Sequence, residues 1–171
     1  MLTTLTNEEE RLMTIVGQQV GSMEAKHQAL ERLGIFIAYA TIHEAYADLA
    51  GTTNTLEAAK RAIFLQWSAT TEPACFTGIF KLHAQAEQHV VKCLNRHIMN
   101  DTLDPESKAM LRWYYSISDY YFEQFPQQIG LRTYLQQHRD VHMVRDTIDT
   151  VDLQRRGQMG IYWFSLLYNR Q

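Results

Sequence analysis

LEAAKRAIFLQWSATTEPACFTG, residues 56–78, is the stretch that decides the fold. Apolar residues recur in it at helical spacing as far as Trp67, which predicts an amphipathic helix. Because a residue that precedes proline disfavours the α conformation, we expect this helix to end or kink at Glu72, before Pro73. From Ala62 to Phe80, Glu72 is the only formally charged residue. A single carboxylate in so apolar a segment predicts a specific role for Glu72.

Two hypotheses account for that carboxylate. A buried carboxylate without a partner is costly, so the favoured hypothesis is an ion pair with Arg155 or Arg156. Both arginines precede a second stretch without charges, residues 157–169. The alternative is a cleft of about 300 Å³ or more in which Glu72 lies with Arg156, Trp67 and nearby tyrosines. In such a cleft a raised pKa would let Glu72 act as an acid or base.

The composition predicts an all-α protein. The chain has 171 residues but only three prolines and eight glycines, and β-branched runs with a period of two are almost absent. We interpret residues 1–171 as a single helical domain that can bury a core without a disulfide or a metal. The short connections between helical segments favour a bundle or short array of about seven antiparallel helices.

The helix boundaries follow from capping signals. Asn7 with Glu10, and Asn54 with Glu57, are capping-box pairs. Asp104-Pro105-Glu106 is the strongest helix start in the chain, with an N-cap acid, a proline at the first helical position and an acid in the first turn. Gly51 and Pro126 are stop signals. The predicted helices cover about residues 8–20, 23–50, 55–72, 82–99, 105–125, 129–142 and 151–169.

Charge and cysteine content exclude several classes of function. The net charge is −3 and the basic residues form no patch, so we expect no nucleic-acid partner. The longest apolar stretches, residues 34–42 and 159–167, are about half a membrane span, so we expect no membrane partner. Cys75 and Cys93 form no CxxC motif and the first residues do not resemble a signal peptide. These features predict a soluble, cytoplasmic protein.

Metal-binding patterns are weak. His138 and His142 are four residues apart, a spacing that can hold zinc, but two ligands do not make a site. Residues 24–27 form one E-x-x-H element, whereas di-iron bundles need two copies and further glutamates. We therefore predict no metal and no cofactor, and keep the two histidines as weak candidates.

The chain contains no G-x-S-x-G, Walker A or H-E-x-x-H motif. The leading hypothesis is a non-catalytic helical protein that associates with a protein partner or with itself. The alternative is a small-molecule-binding or metal-assisted bundle enzyme with its pocket near Glu72 and Arg156. The sequence does not establish whether the protein is an enzyme, and the missing motifs favour a non-catalytic role.

Overall fold

A computed structural model describes residues 1–52, 55–139 and 147–168. The structure is 77% helical, and the described residues contain no strand, which confirms the all-α prediction. The helices are α1 Leu2–Gly17, α2 Met23–Arg32, α3 Ile35–Thr52, α4 Leu56–Thr71, α5 Ala74–Thr77, α6 Ala84–Met99, α7 Pro105–Ile117, α8 Asp119–Glu123, α9 Ile129–Gln137 and α10 Gly157–Tyr168, and a 3-10 turn at Leu153–Arg155 precedes α10.

Helix α4 forms the centre of the core. Residues 58–68 are all buried, and α4 packs against α3, α6, α7 and α10. Its small residues Ala58, Ala59 and Ala62 are at most 2% exposed. The charged residues Lys60 and Arg61 lie in the same buried stretch, so both need partners inside the protein.

Two predicted long helices are interrupted. The helix expected over residues 23–50 is divided into α2 and α3 at Gly34, whose φ of 69° is in the left-handed region that glycine adopts without strain. The helix expected as far as residue 125 is divided into α7 and α8 at Ser118, which has φ −148° and ψ 72°. Buried Ser118 thus turns the chain between two short apolar segments.

The first helix begins earlier than predicted, because residues 2–6 are already helical. Thr6 donates its hydroxyl to the carbonyl of Leu2 at 3.0 Å, so Asn7 lies inside α1 and is not its N-cap. Asp104 is the N-cap of α7 as predicted: its carboxylate accepts a hydrogen bond from the N–H of Ser107 at 2.6 Å.

The last helix begins later than predicted. Gly157 has a φ of 64°, so the preceding residues form a 3-10 turn and α10 begins at Gly157 instead of residue 151. Trp163 of α10 is 1% exposed and Ile161 is 46% exposed. Helix α10 therefore has one face in the core and one face open to a cleft.

Within the part of the chain that the structure describes, every helix is too short or too polar to cross a membrane.

Candidate functional site

A cleft of about 420 Å³ lies among helices α1, α4, α5 and α10. Its walls are mostly apolar, with four polar residues, Ser68, Glu72, Thr77 and Gln158, among them. The full lining is Met13, Val16, Gly17, Phe64, Trp67, Ser68, Glu72, Phe76, Thr77, Gln158, Ile161 and Tyr162. Glu72 is the only formally charged residue of this described lining.

Aromatic side chains make the inner wall of the cleft rigid. Trp67 is 2% exposed and stacks on Tyr114, with ring centroids 4.8 Å apart. Tyr162 meets Trp67 edge to face at 5.3 Å and lies 5.4 Å from Phe64. The buried indole nitrogen of Trp67 has no hydrogen-bond partner among the described residues. Interlocked rings of this kind present a preformed apolar surface to a ligand.

Gln158 fixes the position of α10 beside the cleft. Its amide nitrogen donates hydrogen bonds to the hydroxyl of Tyr39 and to the carbonyl of Thr77, the latter at 2.6 Å. These bonds join α10 to α3 and α5, which are distant in sequence. The cleft wall formed by α10 is therefore held by polar contacts as well as by apolar packing.

Glu72 is exposed and forms no ion pair in the described ranges, so the predicted pair with Arg155 or Arg156 is wrong. Glu72 is the C-cap of α4, with φ −118° and ψ 142°, because Pro73 forces it out of the helix. At that position the carboxylate stays in water and needs no cation. The alternative expectation agrees with the structure in part: Glu72 and Trp67 line a cleft above 300 Å³, but Arg156 is not part of its lining.

Arg156 forms ion pairs with half-buried Glu57 and buried Glu106, and not with Glu72 as the sequence suggested. Its Nε and Nη2 donate to the two carboxylate oxygens of Glu57 at 3.0 and 2.6 Å. Its Nη1 and Nη2 also donate to those of Glu106, at 2.7 and 2.9 Å. Burial opposes the charged form of Arg156, but the bonds to Glu106 and Glu57 outweigh it and raise the pKa of the guanidinium.

Lys60 extends this network. Its ammonium lies 2.9 Å from the carboxylate of Asp104 and 2.5 Å from that of Glu106. Glu106 also accepts a hydrogen bond from the backbone N–H of Asp149 at 3.0 Å. Burial raises the pKa of Glu106, but Arg156 and Lys60 overcome that effect and lower it. We call Glu57, Lys60, Arg61, Asp104, Glu106 and Arg156 the ion network.

Glu9 lies next to the ion network and is 1% exposed. Its carboxylate accepts a hydrogen bond from the hydroxyl of Tyr46 at 3.0 Å. A Cβ atom at Gly157 would lie 1.6 Å from Oε2 of Glu9, so the acid packs directly on the start of α10. Burial raises the pKa of Glu9 to about 7, against the lowering effects of Tyr46 and Arg61. Glu9 is therefore a carboxyl group that titrates near neutrality.

A second buried polar group joins α3, α4 and α8. The amide nitrogen of Gln66 lies 2.8 Å from Nε2 of His43, and the hydroxyl of Tyr121 donates to the amide oxygen of Gln66. His43 and Gln66 are both fully buried. Burial lowers the pKa of His43 to about 4, so the imidazole is neutral at pH 7.

The weak metal candidates form no described site. His138 is exposed, its Nδ1 lies 2.7 Å from the carbonyl oxygen of Tyr134, and its ring stacks on the Tyr134 ring at 4.5 Å. His142 lies outside the described residues. Among the residues that are described, no three histidine, cysteine, aspartate or glutamate side chains are arranged to hold a metal ion.

Arg155 is not a member of the ion network. It is exposed and lines a second, more polar pocket together with the network residue Arg61 and residues of α1. Glu57, Glu106 and Arg61 were not predicted as partners from the sequence, because the two acids were interpreted only as first-turn or capping residues. Their helical phase was a usable signal: Glu57, Lys60 and Arg61 fall on adjacent turns of a helix that is otherwise apolar.

No protein-family model matches the chain, and comparisons with curated proteins and with solved structures find no significant match.

Proposed function

We propose that the protein binds a small amphipathic cation in the cleft among α1, α4, α5 and α10. The apolar or aromatic part of the ligand packs against Trp67, Tyr162 and Phe76, and its cationic group lies beside Glu72. The observation that carries the proposal is the charge pattern of the cleft: a mostly apolar lining whose one formal charge, among the described residues, is a carboxylate.

The size and the surface of the cleft support this proposal. Its volume of about 420 Å³ is in the range of pockets that enclose small organic molecules. Phe76 and Ile161 are 55% and 46% exposed, so apolar surface remains uncovered where the cleft opens. A ligand that covers these side chains gains the free energy of removing apolar surface from water.

The charge of the ligand follows from Glu72 and the aromatic rings. An exposed carboxylate attracts a cation, and so does the face of an exposed aromatic ring: the ammonium of Lys26 lies 5.4 Å from the centre of the Phe76 ring. An anion gains neither interaction and is repelled by Glu72. We therefore expect the cleft to prefer a cation over an anion of similar size and shape.

Benzyltrimethylammonium and phenylacetate test this preference, because both combine one phenyl ring with one charge of opposite sign. Isothermal titration calorimetry should show tighter binding of benzyltrimethylammonium. Glu72→Gln should weaken binding of the cation by roughly 3- to 10-fold, as expected for one partly solvated charge contact. Glu31→Gln, which removes an exposed acid from α2, is the matched control and should leave the affinity unchanged.

A second variant tests the location of the site without changing its charge. Ile161→Trp enlarges a half-exposed side chain at the cleft and should abolish binding of benzyltrimethylammonium while the protein stays folded. Unchanged binding in Ile161→Trp, or equal affinities for the cation and phenylacetate, would contradict the proposal.

Association with a protein partner or with a second copy remains a separate hypothesis. Exposed apolar side chains occur on several elements, for example Ile37 on α3 and Ile129 on α9, at 75% and 71% exposure. Size-exclusion chromatography with light scattering over a range of protein concentrations tests self-association.

A cytoplasmic location is also part of the proposal, and it is supported by Cys75 and Cys93, which are both free and buried thiols. The proposal includes no nucleic acid, membrane, metal or cofactor.

A further inference from the structure

A polar pocket of about 440 Å³ lies between the first helix and two arginines. It shares no residue with the apolar cleft, so a ligand in this pocket is independent of a cation bound beside Glu72. Its lining is Leu2, Thr3, Thr6, Asn7, Glu10, Arg61 and Arg155. The α1 residues Thr3, Thr6, Asn7 and Glu10 have the spacing of one helix face, over a length of about 10 Å.

Arg61 is held rigidly by the protein on two of its three nitrogens. Nε donates to Glu57 at 2.8 Å, and Nη1 donates to the hydroxyls of Thr6 at 2.5 Å and Tyr46 at 3.3 Å. The residue is only 6% exposed. Its remaining nitrogen, Nη2, donates to no group in the described part of the chain and is not fully buried. Arg61 thus lines the pocket with a fixed guanidinium, one nitrogen of which has no partner among the described residues.

Arg155 supplies a second guanidinium to the same pocket. It lies in the 3-10 turn before α10, is exposed, and forms no ion pair with the described residues. Its planar group has five N–H donors and can bind two oxygens of one anion at once. Arg61 and Arg155 thus combine a fixed donor and an adaptable one.

The carboxylate partner of Arg61, Glu57, also accepts two hydrogen bonds from Arg156 and so is shared between two cations. An anion in the pocket would meet Arg61 and Arg155 together. Glu10 is the one acid in the described lining, and it lies one turn of α1 beyond Thr6. A carboxylate at that distance can accept hydrogen bonds from hydroxyl groups of the same ligand.

We infer that this pocket binds the oxyanion of a phosphate group, held between Arg61 and Arg155, with Thr6 and Asn7 at its side. The volume exceeds what a phosphate alone fills, and Glu10 suits a neighbour that donates hydrogen bonds. A phosphate ester of a polyhydroxyl compound therefore fits better than free phosphate. The shared chemistry of both ligands is recognition of phosphate oxygens by arginine.

Titrations with glucose 6-phosphate, inorganic phosphate and glucose test the inference, with binding measured by calorimetry at low salt. Both phosphate compounds should bind and glucose should not. Arg155→Gln should lower the affinity for glucose 6-phosphate at least tenfold, and Arg155→Lys should restore part of it. Arg32→Gln removes the same charge from an exposed position on α2 and should bind as tightly as the wild type.

The arms of the experiment separate the two sources of phosphate. Tighter binding of glucose 6-phosphate assigns the pocket to a phosphate ester, whereas equal affinities assign it to free phosphate, and either result supports the oxyanion assignment. Absence of phosphate binding to the wild type overturns it. Binding that survives Arg155→Gln, or that falls equally in Arg32→Gln, overturns it as well. Because Arg155 is exposed and outside the ion network, none of these variants is expected to unfold the protein.

Discussion

Arg156 and Glu106 meet through two hydrogen bonds, from Nη1 to Oε1 at 2.7 Å and from Nη2 to Oε2 at 2.9 Å. The side chains are 11% and 10% exposed, and Glu57 accepts two further bonds from the same guanidinium. One cation thus connects the segment before α10 to the first turns of α4 and α7. Removal of this cation would leave buried Glu106 with Lys60 and half-buried Glu57 with Arg61 as their remaining cations among the described residues.

Arg156→Ala should therefore lower the free energy of unfolding by about 3–5 kcal/mol, the range found when one partner of a buried ion pair is removed. Urea denaturation at pH 7 measures the change. Arg155→Ala is the control, since the neighbouring arginine is exposed, and its effect should stay within about 0.5 kcal/mol. A loss below about 1 kcal/mol in Arg156→Ala would contradict this prediction and show that water, Lys60 and Arg61 compensate the two carboxylates without Arg156.

Glu72→Ala should lower the free energy of unfolding by less than about 1 kcal/mol, because Glu72 is exposed and has no ion-pair partner in the described residues. The same denaturation assay compares it directly with Arg156→Ala. A loss of several kcal/mol would instead support the ion pair of Glu72 with Arg155 or Arg156, which the sequence suggested and the structure does not contain.

The pH dependence of stability should reveal two buried groups with opposite effects. The pKa of Glu9 rises from 4.5 to about 7 on burial, so between these values the folded protein binds more protons than the unfolded chain. Its contribution to stability therefore falls as pH rises from about 4.5 to 7. Burial lowers the pKa of His43 from 6.5 to about 4, so its contribution rises between about pH 4 and 6.5.

Glu9→Gln removes one of these two effects. Relative to the wild type, its stability should rise by roughly 3 kcal/mol more between pH 4.5 and 7, which corresponds to the difference between the two pKa values of Glu9. Urea denaturation at half-unit pH steps gives both profiles. Glu10→Gln, an exposed neighbour, is the control and should follow the wild-type profile. Parallel profiles for Glu9→Gln and the wild type would contradict the raised pKa.

Alanine substitutions at two glycines with nearly the same φ distinguish the cost of backbone strain from the cost of a steric clash. Gly34 has φ 69° and open space around its missing Cβ, whereas a Cβ at Gly157, φ 64°, would lie 1.6 Å from Glu9. Gly34→Ala should cost about 1–2 kcal/mol through the left-handed backbone alone. Gly157→Ala should cost at least about 1–2 kcal/mol more, because Glu9 is buried and hydrogen-bonded. Thermal denaturation compares both variants, and equal losses would show that Glu9 moves freely.

Helix content and several helix ends were predictable from local sequence, because propensity, capping and proline act over a few residues. Asp104 is an example, since its cap needs only Ser107 three residues on. Gly34 was harder, because glycine inside an apolar stretch is also compatible with a continuous helix. The single-domain interpretation stays a prediction.

The partners of the buried charges were not predictable from local sequence. Arg156 lies 99 residues from Glu57 and 50 from Glu106, so no local pattern connects them. Glu72 was predicted to be buried because its neighbours in the sequence are apolar, but burial depends on the neighbours in space. Pro73 placed that residue at a helix end in water, while acids from more polar segments were buried. The cleft itself was anticipated in its volume and in two of its residues, Glu72 and Trp67.

The separation between Glu57 and Arg156 has a consequence during synthesis on the ribosome. A nascent chain that has just reached Glu57 must grow by 99 more residues before the guanidinium of Arg156 is made. At ~5–20 residues per second this delay is roughly 5–20 s. Glu57 lacks this arginine throughout the delay, and Glu106 lacks it from the time that Glu106 itself is made. We therefore expect the emerging polypeptide to keep this end of α4 hydrated and to bury it only after translation has passed Arg156.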